Sequence, residues 1–125
     1  MKSFVLCLAA LLTSMLLSGP LPAHHGEANY EIGKVVSVKG TVTNFQFINP
    51  HVQIYMDVKN DKGEIEKWIG EARSPGMLVR LGGWDKNTIK PGDVIVASGY
   101  RAKNGTCIMR LLKLTLPDGR EMADL

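Results

Sequence analysis

Three histidines are the residues of this chain with the clearest potential for chemistry. The 125-residue sequence contains only His24, His25 and His51. Neutral imidazole nitrogens are preferred donors for Cu(II), and Zn(II) and Ni(II) also accept them. We therefore predict one transition metal ion bound by His24, His25 and His51, with Cu(II) preferred over Zn(II) and Ni(II). The alternative is that none of the three binds a metal. In that case His24 and His25 are only compatible with a signal-peptide cleavage site just before them, and His51 hydrogen-bonds a turn.

The residues before the histidine pair are typical of a signal peptide. Residues 1–23 begin with the charged Lys2, continue with the apolar run FVLCLAALLTSMLL, and end at the small Ala23 after Gly19-Pro20. This run is too short to cross a bilayer comfortably. We predict export to the periplasm, with no stable membrane anchor after cleavage. Cleavage after Ala23 would make His24 the N-terminus, and its α-amine would then be available as a fourth metal ligand.

The chain that remains after the predicted cleavage is small, and its basic and acidic residues are nearly equal in number. Removing residues 1–23 leaves 102 residues with 14 basic and 12 acidic side chains, enough for one domain. The charges are dispersed and aromatic residues are few, which argues against a nucleic-acid partner. Cys107 is the only mature cysteine, so no internal disulfide is expected, and its surroundings favour a buried, apolar role.

The stretch from Val35 to Val58 predicts two long strands joined at Asn49-Pro50, with His51 at the joint. After the joint, apolar and polar residues alternate, which is typical of a strand with one buried face. In the first strand the apolar positions change parity before Phe45, which requires a bulge or sharp coil, expected at Gly40.

The remaining pattern predicts an all-β fold, a five-stranded OB-like antiparallel barrel with one short helix between strands three and four. A small open antiparallel sandwich is the alternative. A turn at Asn60–Gly63 precedes strand three. The later predicted elements are strand three at Ile65–Glu71, a helix near Pro75–Leu81, strand four at Val94–Tyr100 and strand five at Thr106–Leu116. The predicted divisions are a mobile polar leader at 24–34, the barrel at 35–120 and a tail at 121–125. The expected core comprises Val42, Val52, Ile54, Met56, Ile69, Leu78, Val94, Val96 and Leu112.

Several short motifs together resemble a family of small exported bacterial proteins classed as a domain of unknown function. They are Ala23-His24-His25, Lys39-Gly40-Thr41-Val42, Asn49-Pro50-His51, Ser74-Pro75, Gly83-Trp84, Lys90-Pro91-Gly92-Asp93 and Leu116-Pro117-Asp118-Gly119-Arg120. The resemblance implies a periplasmic OB-like domain and supplies no established activity. It also implies that the family's His-His and Asn-Pro-His motifs fall at His24, His25 and His51.

Two classes of function follow from these features, and catalysis is not expected. The first is the metal-binding module. The second is a ligand- or partner-binding module that uses the wet face of strands two and three, with Gln53, Tyr55 and Trp68 as contacts. An exposed Trp68 would favour the second class, whereas a buried one would remove its best anchor. No Ser/His/Asp or Cys/His arrangement is evident, so we predict no enzymatic activity.

Overall fold

A computed structural model describes residues 26–125 of the protein. Within that range the chain forms six strands and one helix. They are β1 (Tyr30–Gln46), β2 (Gln53–Lys59), β3 (Ile65–Glu71), α1 (Pro75–Gly82), β4 (Val94–Ala102), β5 (Ile108–Thr115) and β6 (Glu121–Ala123).

The strands close into a ring. Their order is β3-β2-β1-β4-β5-β6, and a parallel pairing of β3 with β5 joins the two sides of the sheet. That pairing covers Ile69–Ile108, Gly70–Met109 and Glu71–Arg110. The predicted all-β fold is confirmed: five strands form a closed, mostly antiparallel ring that is compatible with an OB-like barrel, and one short helix lies between β3 and β4.

β1 is 17 residues long and pairs with two neighbouring strands. It pairs with β4 up to Thr41 and with β2 from Gly40 onward. The register shifts between Val42 and Asn44, so Thr43 is the extra residue and the apolar parity changes there. The predicted bulge exists, but its predicted position at Gly40 is wrong. Gly40 has another role: a Cβ there would lie 2.9 Å from Val58 Cγ2.

The predicted core of β2 is confirmed. Val52, Ile54 and Met56 are at most 1% exposed. They pack with Val42 and with Leu78, the buried residue of α1. α1 begins after Ser74, has Pro75 in its first turn, and ends at Gly83 with φ +64°, as expected for a proline start and a glycine stop.

The predicted buried faces of β3 and β4 are wrong. Ile69, Val94 and Val96 lie on the outer side, and Trp68, Ile95 and Ala97 are the buried residues. Met56 pairs with Trp68 across the β2–β3 ladder, and directly opposed residues share a face of the sheet. Because β3 and β4 each carry consecutive apolar residues, the sequence alone does not reveal which parity is buried.

A second bulge explains why Leu112 of β5, predicted to be a core residue, is only partly buried. Ser98 pairs with Lys113 but Gly99 pairs with Leu111, so Leu112 is the extra residue. Leu111 and Leu114 are both buried, on either side of the shift, and Leu112 is only partly buried. Leu112 is therefore not a full core residue as predicted.

The observed fold extends beyond both ends of the predicted barrel at 35–120. β1 begins at Tyr30, inside the 24–34 range predicted as a mobile leader, and Tyr30 is 7% exposed. The predicted tail at 121–125 contains β6, which pairs with β5, and Leu125 is buried. The reason at the C-terminal end is the turn at Gly119, with φ +87°, which folds the chain back into a hairpin.

Candidate functional site

His51 lies in the connection between β1 and β2, directly after the cis peptide bond Asn49-Pro50. Its Nδ1 is 3.2 Å from the carbonyl oxygen of Ala72. A carbonyl oxygen only accepts hydrogen bonds, so Nδ1 carries the proton of the neutral ring. The lone pair is then on Nε2, which has no hydrogen-bond partner among residues 26–125.

A cavity of about 250 Å³ lies beside His51. Its wall comes from the start of the described chain, the end of β3 and the residues that follow it, the first part of β5, and Leu125. The lining residues are Gly26, Glu27, Tyr30, His51, Glu71, Ala72, Arg73, Arg110 and Leu125. The cavity therefore gathers polar side chains from segments that are far apart in sequence.

A chain of hydrogen bonds organises one wall of this cavity. The Tyr30 hydroxyl donates to Glu71 Oε2 at 2.5 Å, and Gln53 Nε2 donates to Glu71 Oε1 at 3.2 Å. Tyr55 then donates to Gln53 Oε1 at 2.8 Å. Both carboxylate oxygens of Glu71 are thus engaged. Burial raises the pKa of Tyr30 well above its usual value, and the hydrogen bond and negative charge of Glu71 act in the same direction.

Two arginines bring positive charge to the cavity in different ways. Arg110 Nη1 is 2.5 Å from Glu27 Oε1 and forms an ion pair. Arg73 is exposed, and among residues 26–125 its guanidinium has no ion pair or hydrogen bond. Its donors are therefore available to a ligand.

Of the three predicted metal ligands, His51 is the one that the structure describes. His24 and His25 lie outside the described residues. Gly26, which follows His25 directly, lines the same cavity as His51. Within residues 26–125, no three His, Cys, Asp or Glu side chains group closely enough to hold a metal ion.

The alternative contacts on β2 and β3 are only partly as predicted. Gln53 and Tyr55 lie together on the outer side of β2, both partly buried and hydrogen-bonded to each other. The prediction that Trp68 shares this wet face is wrong. Trp68 is 4% exposed, its Nε1 donates to Glu66 Oε2 at 2.9 Å, and the Arg101 guanidinium lies 5.0 Å from its ring centroid.

Cys107 is partly buried and packs against the core. Its sulfur lies 3.9 Å from Glu66 Oε2 and 3.8 Å from Arg101 Nη2. The expectation of full burial is therefore too strong. Within the described part of the chain, no helix is long and apolar enough to cross a membrane.

Sequence reasoning missed Tyr30, Glu71, Arg73 and Arg110 as cavity residues. One signal could have revealed Glu71. The predicted β2–β3 hairpin places Glu71 opposite Gln53, which is one of the predicted contacts on the wet face of β2. Tyr30 and Arg110 reach the cavity only through barrel closure, and no local pattern in the sequence reports that.

Comparison with known proteins identifies one family. The model of a family described as "Family of unknown function (DUF6152)" matches residues 13–109, most of the chain. No curated protein matches the sequence.

Proposed function

This chain belongs to the family of unknown function DUF6152, and we propose that it is an exported, non-catalytic protein that binds one Cu(II) ion through His24, His25 and His51. Zn(II) and Ni(II) are the less favoured ions. The observation that carries the proposal is the position of Gly26. The residue bonded to the His-His pair lines the same cavity as the third histidine of the chain.

His51 has the properties of a metal ligand. Its Nδ1 is committed to the Ala72 carbonyl, and a hydrogen bond of this kind fixes the tautomer and orients the ring of a ligating histidine. Nε2 is left with its lone pair on an exposed side chain. A hydrogen bond to a turn, the alternative prediction for His51, thus accounts for one ring nitrogen and leaves the other available.

The covalent chain links the histidine pair to this cavity. His25 is bonded to Gly26, and Gly26 lines the cavity together with His51. The proposal requires the imidazoles of His24 and His25 to share a metal ion with His51 Nε2.

The donor set favours copper. Three imidazole nitrogens, joined by the α-amine when His24 is the N-terminus, make a nitrogen-rich site of the kind that Cu(II) prefers among the divalent ions. Each donor must be deprotonated to bind, so metal binding competes with protons.

The test is a Cu(II) titration of metal-free protein that begins at His24, followed by calorimetry and electron paramagnetic resonance. We expect one Cu(II) per chain with nitrogen ligands. The reference is a peptide of residues 24–34, which reports what the histidine pair binds without the barrel. The protein should bind at least about tenfold more tightly than the peptide, a difference of about 1.4 kcal/mol.

Two variants isolate the contribution of His51. His51→Asn retains a side-chain donor for the Ala72 carbonyl but has no imidazole, and His51→Ala retains neither. Both should bind with the affinity of the peptide. An N-terminal tag ahead of His24 should weaken binding because it displaces the α-amine. Equal Cu(II) affinity in the unaltered protein and in His51→Asn would contradict the proposal, as would equal affinity in the protein and the peptide.

A further inference from the structure

We propose that the cavity beside His51 is a binding site for a small organic carboxylate, an anion with a short hydrocarbon tail, with the Arg73 guanidinium as its main partner. This site shares its cavity with the proposed metal site, but the side chains that carry it lie within residues 26–125 and require no metal ion.

The charged side chains of the cavity balance, two glutamates against two arginines, but one of the arginines is left unpaired among residues 26–125 and can bind an anion. The two carboxylates are already engaged: Glu27 pairs with Arg110, and Glu71 accepts hydrogen bonds from Tyr30 and Gln53. Among residues 26–125 the Arg73 guanidinium makes no such contact, and it offers five N–H donors. Arg110 uses Nη1 for Glu27, so further donors of its guanidinium remain. Apart from the lone pair of His51 Nε2, the groups left over are therefore donors, and a ligand must supply acceptors for them.

The geometry of the arginine side chain narrows the class of ligand further, to carboxylates. The planar guanidinium matches a carboxylate through two parallel N–H···O bonds, which are stronger than bonds between neutral groups. A neutral amide of the same shape offers one oxygen and no charge. Arg73 should therefore bind the carboxylate with much higher affinity than the amide.

Part of the wall next to Arg73 is apolar, and the volume of the cavity is small. Ala72 and Leu125 are 5% and 4% exposed and line the cavity together with Arg73. A volume of about 250 Å³ lies below the range of drug-sized pockets. These properties suit a short tail of a few carbon atoms rather than a large ligand.

The Glu71 carboxylate acts against an incoming anion, which limits the affinity. Because Tyr30 and Gln53 both donate to it, part of its charge is already compensated by hydrogen bonds. We expect a dissociation constant on the order of 1 mM for the simplest ligand of this class.

The experiment is a titration with sodium propionate, followed by two-dimensional amide NMR, of protein from which metal and then chelator have been removed by dialysis. Saturable shifts are expected at Ala72, Arg73 and Leu125. Propionamide is the matched ligand control, since it has the same shape without the charge, and it should bind at least about tenfold more weakly. Inorganic phosphate tests whether charge alone is sufficient, and it should also bind more weakly because it has no tail.

Two arginine variants complete the test. Arg73→Ala should weaken propionate binding at least about tenfold. Arg80→Ala removes an exposed arginine on α1 that donates to Met77 and is not part of the cavity wall, and it should bind propionate normally. Equal binding by Arg73→Ala, or equal affinity for propionate and propionamide, would overturn the proposal. Equal affinity for phosphate would overturn the assignment to a carboxylate with a tail. Because no metal is present, none of these results depends on the copper titration.

Discussion

The hydroxyl of Tyr30 donates to Glu71 Oε2 at 2.5 Å across 41 positions of sequence. It joins the first residue of β1 to the last residue of β3, two strands that are not neighbours in the sheet. The same hydrogen bond stands in the wall of the cavity that His51 lines. One contact thus connects barrel closure to the candidate site.

This contact predicts that Tyr30 remains protonated where an ordinary tyrosine ionises. Burial and the Glu71 carboxylate raise its pKa, whereas a free tyrosine titrates near about 10. We expect the ultraviolet tyrosinate signal gained between about pH 9 and about pH 11 to be the same in the unaltered protein and in Tyr30→Phe. A smaller gain in the variant, equal to one tyrosine, would show that Tyr30 ionises normally.

The same shift has a consequence for stability at high pH. Above about pH 10 the unfolded chain releases the Tyr30 proton while the folded protein retains it. The free energy of unfolding should therefore fall as the pH rises above about 10, and the contribution of Tyr30 is fully present below that value. Urea denaturation at several pH values should show a shallower fall in Tyr30→Phe than in the unaltered protein.

Gly99→Ala should be severely destabilising. A Cβ at Gly99 would lie 2.0 Å from the Arg110 carbonyl oxygen, a contact with main chain that no rotamer change can relieve. We expect a loss of about 3 kcal/mol or more. Gly76→Ala is the matched control, because a Cβ there meets nothing within 4 Å and the position is helical; it should be neutral or mildly stabilising. Chemical denaturation of both variants provides the measurement, and a loss below about 1 kcal/mol in Gly99→Ala would contradict the backbone path.

Ile54→Ala should cost about 2–5 kcal/mol of stability. Ile54 is fully buried in the core, whereas Ile65, in the next strand, is 56% exposed. Ile65→Ala makes the same chemical change on the surface and should cost less than about 1 kcal/mol. The difference between the two denaturation midpoints tests the predicted buried face of β2. Similar losses in both variants would mean that this face is misassigned.

Expression with the native N-terminal segment should yield a mature chain that starts at His24. We expect this because the charged start, the short apolar run and Ala23 are typical of a signal peptide that is removed. Intact-mass measurement of the periplasmic fraction is the direct check. A chain that starts at Met1 would contradict export by cleavage. A start at Ala23 would put His25 third from the free amine, another arrangement that chelates Cu(II) or Ni(II) strongly.

The sequence predicts the fold best where apolar and polar residues alternate cleanly. β2 is such a strand, and its buried residues were identified correctly. The prediction failed in β3, where Trp68 and Ile69 are adjacent and both apolar, so that only the pairing of Met56 with Trp68 decides which one is buried. It failed again at Leu112, because a bulge changes parity without a glycine or proline to mark it.

The candidate site is harder to predict from the sequence than the fold is. His51 was recognisable from its residue type and its position after Pro50. Arg110 and Glu71 belong to the cavity because β3 and β5 come together at barrel closure, and that contact depends on the whole fold. Tyr30 lies among polar residues whose pattern predicts a leader ahead of the first strand, so the sequence gives no sign that it belongs to β1.

The parallel seam between β3 and β5 is the shortest link in the barrel wall. It spans three residue pairs, whereas the β2–β3 ladder spans seven. The last of the three joins Glu71 to Arg110, two residues that also line the cavity. Local opening of a native protein begins where the fewest contacts must break, so the amide of Ile69, bonded to the Cys107 carbonyl, should exchange its hydrogen faster than the amides of central β2. A ligand that contacts both sides of the seam would slow that exchange, which makes the seam a reporter of occupancy for any molecule that the cavity accepts.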